Sequence, residues 1–399
     1  MRISTSQIFN TGSRNILESQ AALYRVQNQL STGRKILTPS DDPVGASQIL
    51  LDTQAREVNL QHADNQSNAN LQLALVEDRI KQVAESILYI KEKIVAANNS
   101  SLSDSQREFF ANDLQQQFDH LVGMANSANA SGHYLFSGFQ GETQPFQLVN
   151  GQVQYFGDQG QRMLQVGAGR QIAVSDSGYD IFMRNRTGNG TFATSNNSAN
   201  TGTGTISNGS VLSPAAWVSG SYSIDFTSAN TYTVTDPSSA VSGPFNYVAG
   251  DAITNIPGIS FAISGAPAAG DSFAIDPSAN QSVFDSVQNL IDTFKTPVAG
   301  NPAAFANMQN VILQNSANME RALENVSRVQ ATIGARRNEL ASLTEVSKDL
   351  DIHFQEKISN IQDIDYAETI SRFMSQQLQL EAAQSSFSKM SGLSLFNYI

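Results

Sequence analysis

Residues 9–33 read FNTGSRNILESQAALYRVQNQLSTG, and residues 366–387 read YAETISRFMSQQLQLEAAQSSF. In the first stretch Phe9, Gly12, Ile16, Ser19, Leu23, Val26, Leu30 and Gly33 follow one another at steps of three and four. In the second, Tyr366, Ile370, Phe373, Gln377, Leu380, Gln384 and Phe387 do the same. A repeat of about 3.5 residues keeps one narrow helix face turned toward a partner helix and winds the pair left-handedly. Two ends of one chain that carry matched seams are most simply partners of each other. Gly12, Ser19, Gln377 and Gln384 dilute those seams: small or polar residues allow close approach but withhold apolar area. Burial along one such seam does not offset the entropy lost in ordering a lone helix. Residues 1–42 and 363–399 are therefore expected to be disordered in the monomer and to become helical between neighbouring subunits.

Moving inward, residues 43–138 have helical periodicity. Asp42 can cap a helix that has Pro43 at its first position, where the missing N–H costs nothing. The strongest heptad of the chain follows, in Leu73, Val76, Ile80, Val83, Ile87, Ile90, Ile94 and Ala97. Ser103 with Gln106 reads as a capping box for a third helix, lined by Phe110, Leu114, Phe118 and Leu121 and ended by Gly132.

Residues 139–280 change character. Gln152–Phe156, Tyr222–Phe226, Tyr232–Val234 and Ile259–Ile263 are β-prone runs bounded by turn residues, with Trp217 as a core anchor. The stretch from Thr187 to Ser210 is nearly all Gly, Ser, Thr and Asn, and reads as an exposed mobile loop. No lysine lies between Lys93 and Lys295. From 281 to 362 helices return: a short one over Val283, Val287, Leu290, Ile291 and Phe294, then a long one. The long seam is assigned to Ile312, Ser316, Met319, Leu323, Val326, Gln330, Ile333, Arg337 and Leu340. Asp365 with Glu368 opens the last helix. The expected fold is mainly α with an inserted β domain. The two ends of the chain form an antiparallel coiled-coil shaft, and the β-rich domain lies at its far tip.

The chain has 24 Lys and Arg against 36 Asp and Glu, a net charge of −12, and no cysteine. An acidic surface argues against nucleic acid and anionic membranes as partners. Without thiols there is no disulfide framework and no cysteine-based zinc site. No apolar run approaches the roughly 18 residues of a membrane span. The N-terminus also lacks the roughly 7–15-residue apolar core of a secretory signal.

Several motifs point one way. Gln29-Leu30-Ser31-Thr32-Gly33 precedes Pro39-Ser40-Asp41-Asp42-Pro43, and Gly132-His133-Tyr134-Leu135-Phe136-Ser137-Gly138 precedes Thr143-Gln144-Pro145-Phe146. Ile333-Gly334-Ala335-Arg336-Arg337-Asn338-Glu339 and the closing Leu393-Ser394-Leu395-Phe396-Asn397-Tyr398-Ile399 complete the set. These residues resemble the flagellin superfamily of the bacterial flagellum, and within it the hook-associated proteins of the hook–filament junction. Flagellin itself is the alternative. It differs from this chain at Pro43-Val44, where flagellins usually carry alanines, and at the closing residues.

The resemblance implies an extracellular structural adaptor, exported through the flagellar secretion channel without signal cleavage. Its implied partners are other copies of itself, the preceding hook-associated protein and flagellin. A cytoplasmic export chaperone would hold the C-terminal segment. The assembly interface is assigned to Phe9, Ile16, Leu23, Val26, Leu30, Ile370, Phe373, Leu380, Phe387, Leu395, Phe396 and Tyr398. Asp41, Asp42 and Pro43 form the elbow between terminal and shaft helices, both acids satisfying helix N–H groups. Arg336 and Arg337, in a seam where apolar residues are easier, are either solvent-facing charges or subunit contacts that pair with a neighbour's acids.

Catalytic chemistry finds little support. Ser386 and Lys389 match a Ser-x-x-Lys pattern without its companion motifs. His62, His120, His133 and His353 are scattered with no i,i+4 pair, and between His133 and His353 there is none to serve a nucleophile. No enzyme activity, cofactor or metal site is expected.

Overall fold

The structure, a computed structural model, describes residues 5–392. Among the described residues there are six α-helices: α1 Thr5–Thr32, α2 Pro43–Ala97, α3 Asp104–Ala125, α4 Val283–Lys295, α5 Pro302–Gln362 and α6 Tyr366–Gly392. Between α3 and α4 lies a β-rich region. The chain divides into two compact units, one built from residues up to Asp64 and from Ser342 onward, the other from Asn65–Ala341. Both α2 and α5 contribute to each unit.

In the first unit α1 and α6 lie side by side and antiparallel. Phe9 meets Phe387 at a ring separation of 5.0 Å near one end, and Gly33 approaches the Tyr366 hydroxyl near the other. The neighbouring parts of α2 and α5 are antiparallel as well. Their seam is polar: Arg56 pairs with Asp351 at 2.7 Å, Asn59 donates to the Ser347 carbonyl at 2.7 Å, and Lys357 faces Asp52 at 3.6 Å.

In the second unit the α2 heptad from Leu73 to Ala97 is buried throughout, as its spacing predicts. Along the α5 seam the buried positions include Ile312, Asn315, Met319, Ala322, Val326, Val329, Ile333 and Leu340. Every seventh residue of the seam read from the sequence is correct, but Ser316, Leu323 and Gln330 are each one residue past the buried position. The two heptad phases share half their members. Choosing Leu323 over Ala322 favours the larger side chain, whereas the tight interior takes the smaller one.

In the β-rich region two antiparallel sheets share one core, beside three two-stranded ones. The first has five strands in the order Val241–Asn246, Thr231–Thr235, Tyr222–Ser228, Ser272–Pro277, Phe192–Asn196. The second joins Ala252–Ile253, Ile259–Ser264 and Thr205–Ile206, with Ser210–Val211 also pairing with Ile259–Ser264. Alternate residues point inward, among them Tyr222, Ile224 and Phe226 from one sheet and Ile259, Phe261 and Ile263 from the other. Trp217 packs against this core beside Phe192 and Tyr222.

Two expectations fail here. The stretch from Thr187 to Ser210 is not a mobile loop, since it supplies a central-core Phe192, the buried Ile206 and parts of both sheets. Asparagines of α5 hold its backbone. Asn318 accepts from the Gly188 amide at 2.9 Å, and Asn310 accepts from the Ile206 amide at 2.8 Å while donating to the Gly204 carbonyl at 3.0 Å. Polar side chains from a distant helix thus replace the apolar area this segment lacks. Nor does Gly132 end α3, which stops at Ala125 with Asn126 as its C-cap. The Asn126 side chain then clasps Phe146, accepting from its amide at 2.9 Å and donating to its carbonyl at 2.8 Å. The Ser103–Gln106 capping box is present with both of its hydrogen bonds.

Candidate assembly surface on the terminal helices

Between α1 and α6 the inward positions are set by residue size. Gly12 has room only for hydrogen, because a Cβ there would come within 2.6 Å of the Phe387 ring. Val26 is buried, and Ile16, Ser19, Leu23 and Leu30 are half-buried. Facing them on α6 are Thr369, Phe373, Gln376, Leu380, Ala383 and Phe387. Phe373, Leu380 and Phe387 stand where the sequence reading puts them. Ile370 does not, being 48% exposed while its neighbour Thr369 is 5% exposed. The error is the one made on α5: a large apolar residue draws the seam one position away from the smaller residue that occupies it.

Turned outward, Ile370 joins Tyr366, Met374 and Leu378 in a stripe of exposed apolar side chains at four-residue spacing. Such a stripe winds around its helix by about 40° per step. On α1, Leu17 and Tyr24 are likewise exposed, seven residues apart, and Phe9 is 55% exposed despite its contact with Phe387. Large exposed apolar side chains at regular helical spacing mark a surface that meets another protein. Leu395, Phe396 and Tyr398 lie outside the described residues.

At the elbow the chain runs from Gly33, whose φ of +69° suits glycine, to Pro43 at the start of α2. Asp42 caps α2, its Oδ1 accepting from the amides of Val44 at 3.2 Å and Gly45 at 3.0 Å. Asp41, expected to share that task, closes the preceding loop instead. Its Oδ2 accepts from the amides of Thr38 at 2.9 Å and Leu37 at 3.2 Å. The Thr38 amide foremost, with the Thr38 hydroxyl, the Leu37 amide and the charge of Arg25, holds the Asp41 carboxyl below its usual range. The elbow is also stitched to the turn before α6: the Lys35 amide donates to the Gln362 carbonyl at 2.6 Å and the Ile364 amide to the Gly33 carbonyl at 3.1 Å. No sequence pattern announces this backbone ladder. Asp365 caps α6 through the amides of Ala367 at 2.9 Å and Glu368 at 3.2 Å.

Arg336 and Arg337 both find acids within their own chain, a third outcome beside solvent and a neighbour's carboxylates. Arg336 takes a seam position and forms a two-pronged pair with Asp176, at 2.8 and 3.1 Å. Arg337, one residue on, reaches Glu77 and donates to Asn70 at 3.1 Å. Ser386 and Lys389 are exposed on α6. Among the described residues no group of three His, Asp or Glu is placed to hold a metal ion, and no helix is long and apolar enough to cross a membrane.

Both helical ends of the chain match known family regions. Residues 3–141 match the bacterial flagellin N-terminal helical region, and residues 317–399 match the bacterial flagellin C-terminal helical region. A crystal structure of flagellar hook-associated protein 3 from Legionella pneumophila superposes with a TM-score of 0.74 at 32% identity, over 78% of this chain and 99% of that one. The chain belongs to the flagellar hook-associated protein 3 family. A second family structure, from Xanthomonas campestris, has a TM-score of 0.73 at 31% identity, covering 77% of this chain and 99% of its own. The flagellar hook-associated protein 3 of Escherichia coli is 28% identical over 396 residues, 99% of either chain. The two flagellin-type matches take in α1 to α3, most of α5, and α6. Residues 142–316, with nearly all of the β-rich region, lie outside both.

Proposed function

We propose that this protein is a non-enzymatic structural adaptor of the flagellum, joining the ring of the preceding hook-associated protein to the flagellin filament. The observation that carries this reading is the outward stripe Tyr366, Ile370, Met374 and Leu378 on a helix whose other face already holds α1. A helix with two apolar faces is suited to lie between subunits, one face turned to its own chain and one to a neighbour. Other copies of the chain cover that stripe laterally, and the preceding hook-associated protein and flagellin cover the ends of the ring. Residues 1–42 and 363–399 stay disordered until that moment, which also makes them threadable. The protein leaves the cell through the flagellar secretion channel, its C-terminal segment held beforehand by an export chaperone.

The test replaces both Met374 and Leu378 with aspartate. The variant should be exported, and its β-rich unit should melt at the wild-type temperature. Cells that carry it should build hooks yet shed flagellin into the medium. Normal filaments on that variant would exclude the stripe as the assembly surface. Growth of long filaments from the purified wild-type chain alone would make it a filament subunit, not an adaptor.

A further inference from the structure

Beside the β-rich region, against α5, lies a cavity of about 600 Å³ whose lining is dominated by charge. Arg184, Arg186, Arg328 and Arg336 face it, with Asp176 and Asp180. In a chain of net charge −12, four guanidinium groups against two carboxylates make a local inversion.

The acids account for only two of the arginines. Asp176 engages Arg336, and Asp180 meets Arg184 at 3.3 Å. Arg186 donates to the Ser278 carbonyl at 2.8 Å and Arg328 to Asn325 Oδ1 at 2.7 Å, both neutral acceptors. Among the described residues neither forms an ion pair. A guanidinium carries five N–H donors, so each keeps donors to spare.

The cavity wall is also locally unusual. Tyr179–Met183 forms a π-helical turn, a rare geometry enriched at functional sites, and it delivers Asp180 and the following Arg184 to the cavity. Asn325 secures that turn from α5, donating to the Asp180 carbonyl at 2.7 Å. That turn of the wall is therefore held in place before any ligand arrives, while Arg186 and Arg328 reach the cavity as exposed side chains.

We propose that this cavity is a binding site for a small multivalent oxyanion of the phosphate or sulfate class, gripped by Arg186 and Arg328. Paired guanidinium forks match the geometry of a tetrahedral oxyanion. The volume suits a small molecule, not a polypeptide segment. Such a group arrives either as a free ion or as a substituent on an anionic polysaccharide outside the cell.

Titration calorimetry on the full-length protein tests this, with pyrophosphate as the free ion and a heparin hexasaccharide as the pendant form. Pyrophosphate should bind, and Arg186→Gln with Arg328→Gln should weaken it at least tenfold. Lys81→Gln, on an exposed face of α2 away from the cavity, should leave affinity unchanged. Circular dichroism melts of both variants establish that the fold is kept. Heparin binding displaced by pyrophosphate identifies the pendant source, and pyrophosphate binding alone identifies the free ion. No pyrophosphate binding, equal binding by the double variant, or heparin binding that pyrophosphate does not displace would each overturn the site. Self-association that the double variant loses, with no anion bound, would reassign the arginines to a subunit contact.

Discussion

Gly12 of α1 lies directly under the ring of Phe387 on α6, so close that a methyl group in place of its hydrogen would sit 2.6 Å from Phe387 Cδ2. A glycine in mid-helix costs about 1 kcal/mol of helix propensity relative to alanine. Its presence here is explained by the close approach. Gly12→Val should therefore weaken the α1–α6 pair by about 1–3 kcal/mol despite the gain in propensity. Phe387→Ala alone also weakens it, by loss of apolar contact. Combined, the two changes should cost less than their sum, because the valine fills the space the ring leaves. Hydrogen exchange of α1 amides in the assembled protein measures all three, and strict additivity would place the ring elsewhere.

How far the sequence carried depends on residue size. The α2 heptad was legible because every inward position holds Leu, Val, Ile or Ala, so the exposed Leu75, Leu88 and Val95 beside them do not break its spacing. On α5 and α6 the inward positions include Asn315, Ala322, Thr369 and Gln376, while large residues such as Leu323 and Ile370 stand beside them. Hydrophobicity then points to the wrong neighbour, and only packing decides. The caps at Asp42, Ser103 and Asp365 were legible because each uses local bonds within three residues. The order of Thr187–Ser210 was hidden because its partners, Asn310 and Asn318, are over a hundred residues away. The same distance concealed the arginine cavity, assembled from the π-helical turn, a short strand and α5.

The two adjacent arginines of α5 should respond differently to removal. Arg336 and Asp176 are both largely buried, with side chains 17% and 12% exposed, and are joined by two hydrogen bonds. Arg336→Ala strands a carboxylate in a poorly solvated place, an effect of about 2–4 kcal/mol. Arg337, 37% exposed, belongs to the surface class worth about 0–1 kcal/mol. Denaturant unfolding of the single variants should show this contrast. Asp176→Asn in the Arg336→Ala background should recover part of the loss, since the stranded charge is gone.

Asn310 is a buried link between α5 and the β-rich region, bonded to the Ile206 amide and the Gly204 carbonyl at once. Asn310→Ala leaves both groups unpaired and should cost about 1–3 kcal/mol for each that stays dry. Exchange protection should drop first around residues 204–206 and 263–264, where Thr205–Ile206 pairs with Ile259–Ser264. Asn310→Asp keeps the acceptor for Ile206 but buries an unpaired charge against the Gly204 carbonyl, so at neutral pH it should cost at least as much as alanine.

Acid should release a clamp at the start of α3. Asp104 Oδ1 accepts from the Val298 amide at 3.1 Å and Oδ2 from the Ala299 amide at 3.2 Å, tying α3 to the loop after α4. The Val298 amide foremost, then the Ala299 amide and the charge of Arg107, hold the Asp104 carboxyl below its ordinary value of 3.8. A carboxyl depressed in the folded state binds fewer protons there than in the unfolded chain, so it stabilises above pH 3.8. That contribution is lost as pH falls through the depressed value. Wild type should thus outlast Asp104→Asn by a constant margin from pH 7 to about 5, and the margin should shrink below about 4. Thermal melts followed by circular dichroism across this range measure it. A margin that persisted undiminished at pH 2 would mean that the clamp acts by shape and not by charge.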